Sequence, residues 1–177
     1  MTTEPIDPIR FPIGPWQPQE TYTLADIRQL VDQIRTLPDV YALVLNNATP
    51  DDLQKQYRPG SWTVQQLVHH VADMHLLHFF RLKNALVEPG ATTLMVDMNG
   101  WAALPEAQNA PISDSVTMLY GVHRRIAFLA GSLQPEELAV TYYHPVRART
   151  LTILQALSMT VWHGEHHLAH IRLAMQS

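Results

Sequence analysis

The stretch Val161-Trp162-His163-Gly164-Glu165-His166-His167-Leu168-Ala169-His170-Ile171 decides how this chain reads. Four of the ten histidines fall here, interleaved with apolar residues. Leu154, Leu157, Val161, Leu168, Ile171 and Met175 recur at helical spacing, so the stretch belongs to a helix over about Leu151–Met175. Residues four apart share a helix face, and two histidines so spaced can reach one metal ion. There are two such pairs, His163/His167 and His166/His170. From the centre of the apolar face, His167 lies about 80° away, His163 about 120° and His170 about 140°, while His166 points nearly opposite. The inward pair is therefore His163/His167. Gly164 sits near the centre of the apolar face, where glycine costs up to about 1 kcal/mol relative to alanine. A close helix approach, or room for a metal and its ligands, would offset that cost.

A third ligand should come from a second helix. Thr63 with Gln66 forms a capping-box signal, and a helix follows to about Leu86, before Pro89-Gly90. It carries His69, His70, His75 and His78. His70 lies in the apolar stripe of Leu67, Val71, Met74 and Leu77, whereas His69 sits off it beside Gln66 and Asp73. His70, His163 and His167 are thus the candidate metal set, the alternative being hydrogen-bonded core histidines. Asp73 is a candidate outer carboxylate to His70. His75 and His78 read as flanking the core, and His123 and His144 as structural or surface residues. Glu165 points about 200° from His163, a poor position for a base. No Ser-His-acid arrangement or glycine-rich phosphate loop stands out.

Outward from these helices, the rest also reads as helical. Residues 1–22 hold five prolines and read as an extended arm over a single domain spanning 23–177. Thr23 caps a helix to about Leu37; Pro38 either kinks it or starts a second helix to about Asn47. Thr49-Pro50 starts a short helix, and Arg58-Pro59-Gly60-Ser61 is a turn. Residues 89–112 read as loop with a short helical piece around Trp101. Ser113 is the expected cap of a third long helix to about Leu133, and Pro135-Glu136-Glu137 adds one turn. Val140–His144 and Arg149–Thr152 read as a small hairpin or an extended loop. The expected fold is an all-α four-helix bundle with accessory helices.

Composition narrows the function. The net charge of −4 speaks against nucleic acid or an anionic membrane as partner. No apolar run approaches the ~20 residues of a membrane span, and the start lacks a secretory pattern. With no cysteine, thiolate nucleophiles and disulfides are excluded, and a cytoplasmic location fits. A small-molecule substrate is the expected partner.

Several motifs resemble the DinB-like superfamily and, within it, the YfiT family of metal-dependent hydrolases. They are Phe11-Pro12-Ile13-Gly14, Tyr57-Arg58-Pro59-Gly60-Ser61-Trp62-Thr63-Val64, Val68-His69-His70-Val71-Ala72-Asp73, Tyr143-His144-Pro145 and the 161–171 stretch. The resemblance spans nearly the whole chain. It implies a bundle holding one divalent ion, zinc or nickel, through His70, His163 and His167, and it implies a homodimer. It supplies no substrate. Metal-assisted hydrolysis is the reaction it implies. Alternatives are transfer or isomerisation with an external low-molecular-weight thiol, and a non-enzymatic metal staple.

Overall fold

The computed structural model describes residues 7–176. Four long helices form the body: α1 (Leu24–Leu45), α3 (Val64–Val87), α6 (Ile112–Ser132) and α8 (Ile153–Met175). Short helices α2 (Pro50–Gln54), α4 (Met98–Ala102), α5 (Pro105–Asn109) and α7 (Pro135–Leu138) lie between them. Thr23, Thr49, Thr63 and Thr152 each close a capping box, so threonine side chains mark the starts of α1, α2, α3 and α8. Pro38 neither breaks α1 nor starts a new helix; it sits inside one continuous 22-residue helix.

The principal helix contacts are α1 with α6, α6 with α3, α3 with α8, and α8 with α1. Helices α1 and α3 therefore occupy opposite corners although they are successive long helices in the chain. Ile34, Val68, Val71, Ile126, Leu151, Leu157 and Ile171 are at most 1% exposed. Each such side chain contributes roughly 1.5–3 kcal/mol by leaving water. At the centre, Tyr41 of α1 donates a 2.7 Å hydrogen bond to the carbonyl of Gly164 on α8.

Ser113 does not cap α6. The helix starts at Ile112 with Pro111 in the cap position and no side-chain cap bond. Gln65 Nε2 and His69 Nε2 both bind the carbonyl of Ala110, at 3.3 and 3.1 Å, which pins the chain just before the helix starts, two residues earlier than expected. The segment expected as a hairpin or loop is a hairpin: β1 (Thr141–His144) pairs antiparallel with β2 (Arg149–Thr152), Tyr142 opposite Leu151. A 3₁₀ turn over Pro145–Arg147 joins them, and Ala148 takes a left-handed conformation.

Of the arm expected over 1–22, residues 1–6 lie outside the described residues. Residues 7–22 run along α8. Trp162 Nε1 donates to Gly14 O, Trp16 Nε1 and Tyr22 Oη both bond Ser158 Oγ, and Gln155 Nε2 donates to Gln19 O.

Candidate metal centre

His70 from α3 and His163 and His167 from α8 converge, with one ring nitrogen of each within 4.8 Å of the others. His70 Nε2 and His163 Nε2 stand 3.2 Å apart. Two nitrogens bound at about 2.0 Å to one tetrahedral ion stand about 3.3 Å apart, so the pair fits such an ion. The His163 and His167 rings are 4.6 Å apart between centroids, and Trp62 packs 4.6 Å from His70 as a wall.

Gly164 allows this arrangement. A methyl group at that position would collide with the Leu37 side chain and lie 3.1 Å from His75 Cε1. The close approach expected at Gly164 is thus real, and the residue nearest it besides Leu37 is another histidine.

The outer nitrogens of the α8 pair are tied down by two hydrogen-bonded chains. His163 Nδ1 meets His75 Nε2 at 3.1 Å, His75 Nδ1 meets His123 Nε2 at 2.6 Å, and His123 Nδ1 meets the carbonyl of Ile34 at 2.6 Å. A carbonyl only accepts, so His123 carries its proton on Nδ1. A neutral imidazole has one donor and one acceptor. His75 therefore donates from Nδ1 to His123 and accepts at Nε2 from His163 Nδ1–H. That leaves the lone pair of His163 on Nε2, facing His70. The anchor is itself a sequence feature. Pro38 has no N–H, so Ile34 O, four residues earlier, lacks its usual helical donor. His123 supplies it.

His167 is tied in a parallel way. His170 Nε2 meets the carbonyl of Arg10 at 3.3 Å, and His170 Nδ1 meets His167 Nδ1 at 3.5 Å. By the same reasoning, His170 donates to Arg10 O and accepts from His167 Nδ1–H. The lone pair of His167 then also lies on Nε2.

Burial, first, and then the neighbouring His166 lower His70 to about 4. Burial followed by surrounding histidines holds His75, His163 and His167 well below the ordinary imidazole value. These rings are neutral at pH 7, the state in which imidazole binds a metal.

Several expectations need correction. His166, expected to point away from the core, is 7% exposed, and His170 is 2% exposed. Phe11 of the arm packs 5.9 Å from His166, Trp162 of α8 itself stacks on His166 at 4.6 Å, and Tyr57, ahead of α3, stacks on His170 at 3.9 Å. His166, His167 and His170 form a second group of convergent nitrogens. His170 in that group is already bound to Arg10 O, and His166 Nδ1 is buried with no partner. His75 and His78 do not flank the core but sit inside it, at 0% and 5% exposure, while His123, expected as structural or surface, is structural and fully buried. His69 is buried too, spent on Ser115 Oγ at 2.7 Å and Ala110 O. Asp73 faces Glu106 and His69, and burial raises its carboxyl; it makes no hydrogen bond to His70 among those described. Glu165 accepts from Gln33 Nε2 and stays off the cluster, as its helical angle requires.

A pocket of about 350 Å³ opens against His166, His167 and His170, walled by Tyr57, Trp62, Arg10 and Arg58. Of the three converging histidines, His167 lines it.

Comparison with known proteins follows the same lines. The profile of the DinB superfamily matches residues 33–171. A Bacillus pumilus protein named "Putative metal-dependent hydrolase" is 40% identical over 163 residues, covering 92% of this chain and 93% of its own. An Oceanobacillus iheyensis protein of the same description is 37% identical, covering 96% of both chains. The solved structure of YfiT from Bacillus subtilis, described as a probable metal-dependent hydrolase with an unusual four-helix bundle topology, superposes with a TM-score of 0.93 at 30% identity, over 96% of this chain and 98% of that one. A mycothiol-dependent maleylpyruvate isomerase superposes with a TM-score of 0.50 at 18% identity, over 87% of this chain and 63% of that one, a likeness of fold alone.

Proposed function

The chain belongs to the DinB superfamily, and from that premise we propose that it is a hydrolase using one divalent metal ion held by Nε2 of His70, His163 and His167. One observation carries the reading. Three histidines from two helices converge, and the two on α8 have their outer nitrogens committed to backbone carbonyls through other histidines. Core histidines packed only for stability have no need of lone pairs aimed at a common point.

The set of three protein nitrogens matches a catalytic zinc site, since a purely structural zinc closes its shell with a fourth protein ligand. The chemistry a zinc ion supplies there is Lewis acidity toward a carbonyl or phosphoryl oxygen and activation of water near neutral pH. The chain's own residues do the positioning. His75 and His170 fix the tautomers and ring planes of His163 and His167. Trp62 shields His70, and the pocket beside Tyr57 and Trp62 is sized for a small substrate.

The test is a screen of esters, amides and phosphoesters with metal-loaded protein, run beside a thiol-conjugation assay. Hydrolysis that chelator removes and His163→Ala abolishes is the expected result. Thiol conjugation without hydrolysis would replace this reading by the transferase one.

A further inference from the structure

Behind the metal centre lies a second polar cluster that the hydrolase reading leaves unused. Arg81, one turn beyond His78 on α3, is 5% exposed. Its Nη2 donates to Leu94 O at 2.8 Å, but its Nε is buried with no partner. Two more buried groups lack partners: Thr93 Oγ1 and Tyr142 Oη. Thr93 is tied to the hairpin by its N–H to Tyr143 O at 3.0 Å, which sets it beside β1. Tyr142 and His144 alternate onto the buried face of β1, and the 3₁₀ turn brings Arg147 to the same end, its N–H on His144 Nδ1 at 3.4 Å.

The group has donors and positive charge in excess. No ion pair involves Arg81 or Arg147 among the described residues. Arg147 is exposed and its guanidinium lies 4.9 Å over the Trp16 ring, so Arg81 is the buried guanidinium of the group. Such a charge, and unsatisfied hydroxyls, are costly to bury, and natural folds keep few of them. The proximity of these groups is also felt in their acidity. Burial first, then Arg81 and Arg147, lower His144 to about 4. Burial raises the Tyr142 phenol while Arg81 and Arg147 oppose that shift. A pocket of about 660 Å³ lined by Leu77, Phe80, Thr93 and Leu94 reaches Arg81 from outside. On the other side, His78 stands between the cluster and the metal centre. Its ring is 5.5 Å from that of His163, and its Nδ1 bonds Thr160 Oγ1 at 3.1 Å.

We propose that Arg81, Thr93, Tyr142, His144 and Arg147 form a binding site for a single oxyanion, a carboxylate or a phosphate. Arg81 Nε–H and Tyr142 O–H donate to the anion, Thr93 adds a hydroxyl donor, and Arg147, held at the exposed rim on Trp16, adds positive charge from outside. The site opens to the pocket at Leu77, Phe80 and Leu94, which shares no wall with the one beside Tyr57 and Trp62, so its anion is a ligand separate from the substrate of the hydrolase reading above.

The test uses full-length, metal-loaded protein with inorganic phosphate and acetate as probes, followed by calorimetry and by thermal melting. Wild type should bind at least one probe and melt higher in its presence. Arg81→Gln and Tyr142→Phe should each weaken that binding, Arg81→Gln by at least about tenfold, with metal content unchanged. Arg81→Met should melt higher than wild type without anion and gain nothing when anion is added, because an unpaired buried charge has been removed. Unchanged anion binding in Arg81→Gln and Tyr142→Phe, or a lower melting point for Arg81→Met, would overturn the proposal. So would anion binding that vanishes when chelator removes the metal but survives Arg81→Gln, since the anion would then sit on the metal; that outcome leaves the hydrolase reading standing. Arg81-dependent anion binding without any hydrolysis sustains this site and removes the hydrolase reading instead.

Discussion

The two metal-facing histidines of α8 are held from behind in different ways. His163 leans on His75 and His123, two rings that are fully buried, and its chain ends on a carbonyl inside α1. His167 leans on His170 alone, across a longer 3.5 Å contact, and its chain ends on Arg10 in the N-terminal arm. The first tether is made by helices packed against one another on all sides. The second depends on a segment of turns, with Phe11 N–H on Asp7 O and Gly14 N–H on Phe11 O, that lies on the surface of the bundle. The difference implies unequal stiffness: the His163 ring is fixed by the core, and the His167 ring is the adjustable one beside the pocket.

The largest effect should follow from removing the stiff ligand itself. His163→Ala should abolish tight metal binding and any metal-dependent activity. The protein should stay helical by circular dichroism, because the apolar contacts of four long helices hold the fold. Collapse of the fold in that variant would make the metal a structural staple.

Acid should undo both tethers in the metal-free protein. His70, His75, His163 and His167 have folded-state proton affinities below the unfolded value, which is near ~6.5. The unfolded chain therefore binds more protons as pH falls. Stability from these groups is full above pH ~6.5 and is lost as pH drops toward the folded value, about 4 for His70. Urea melts at a series of pH values should show stability flat near neutrality and falling below about 6.5. A flat profile down to pH 4 would contradict the neutral network.

His75→Leu breaks the interior chain and leaves His163 Nδ1–H buried without an acceptor. Metal affinity, measured by competition with a chelator, should fall roughly 10–100-fold. His170→Leu breaks the arm-side chain, where water in the pocket can replace the lost acceptor, so the loss should be only a few-fold by order of magnitude. Equal losses would erase the contrast between the two sides. Smallest of all, Pro38→Ala returns an N–H to α1 and makes it compete with His123 for Ile34 O. The helix should gain stability, since proline is about 3 kcal/mol less favourable than alanine in a helix interior. Metal affinity should drop less than in His75→Leu, because a carbonyl can accept two hydrogen bonds.

These residues also mark how far the sequence could be read. The bundle was legible because apolar residues recur with helical period and because Thr23 and the Thr63/Gln66 capping box announce the starts of α1 and α3; the Thr152 box that starts α8 was not read from the sequence. The meeting of His70, His163 and His167 follows from the same period, which says which way a side chain points. Gly164 betrayed a close approach by its own cost. The roles of His75, His123 and Pro38 were not legible. They depend on which helices are neighbours, and α1, α3, α6 and α8 meet in an order that chain sequence does not dictate. His166 and His170 were misjudged for a related reason. The hydrophobic face of α8 locates the bundle, but a second face is buried by Phe11 and Arg10 of the arm, by Tyr57 and by α8's own Trp162, contacts that leave no apolar stripe. The unpaired Arg81 is likewise invisible to pattern reading, because an arginine in a helix ordinarily points to solvent.

The central claim is that His70, His163 and His167 hold one metal ion through Nε2. A crystal structure of the metal-loaded protein, with anomalous data collected at the metal edge, tests it most directly. The account predicts one peak within roughly 2.0–2.2 Å of Nε2 of all three histidines, with His75 still bonded to His163 Nδ1. A peak among His166, His167 and His170, or coordination through Nδ1 of His163, would contradict it.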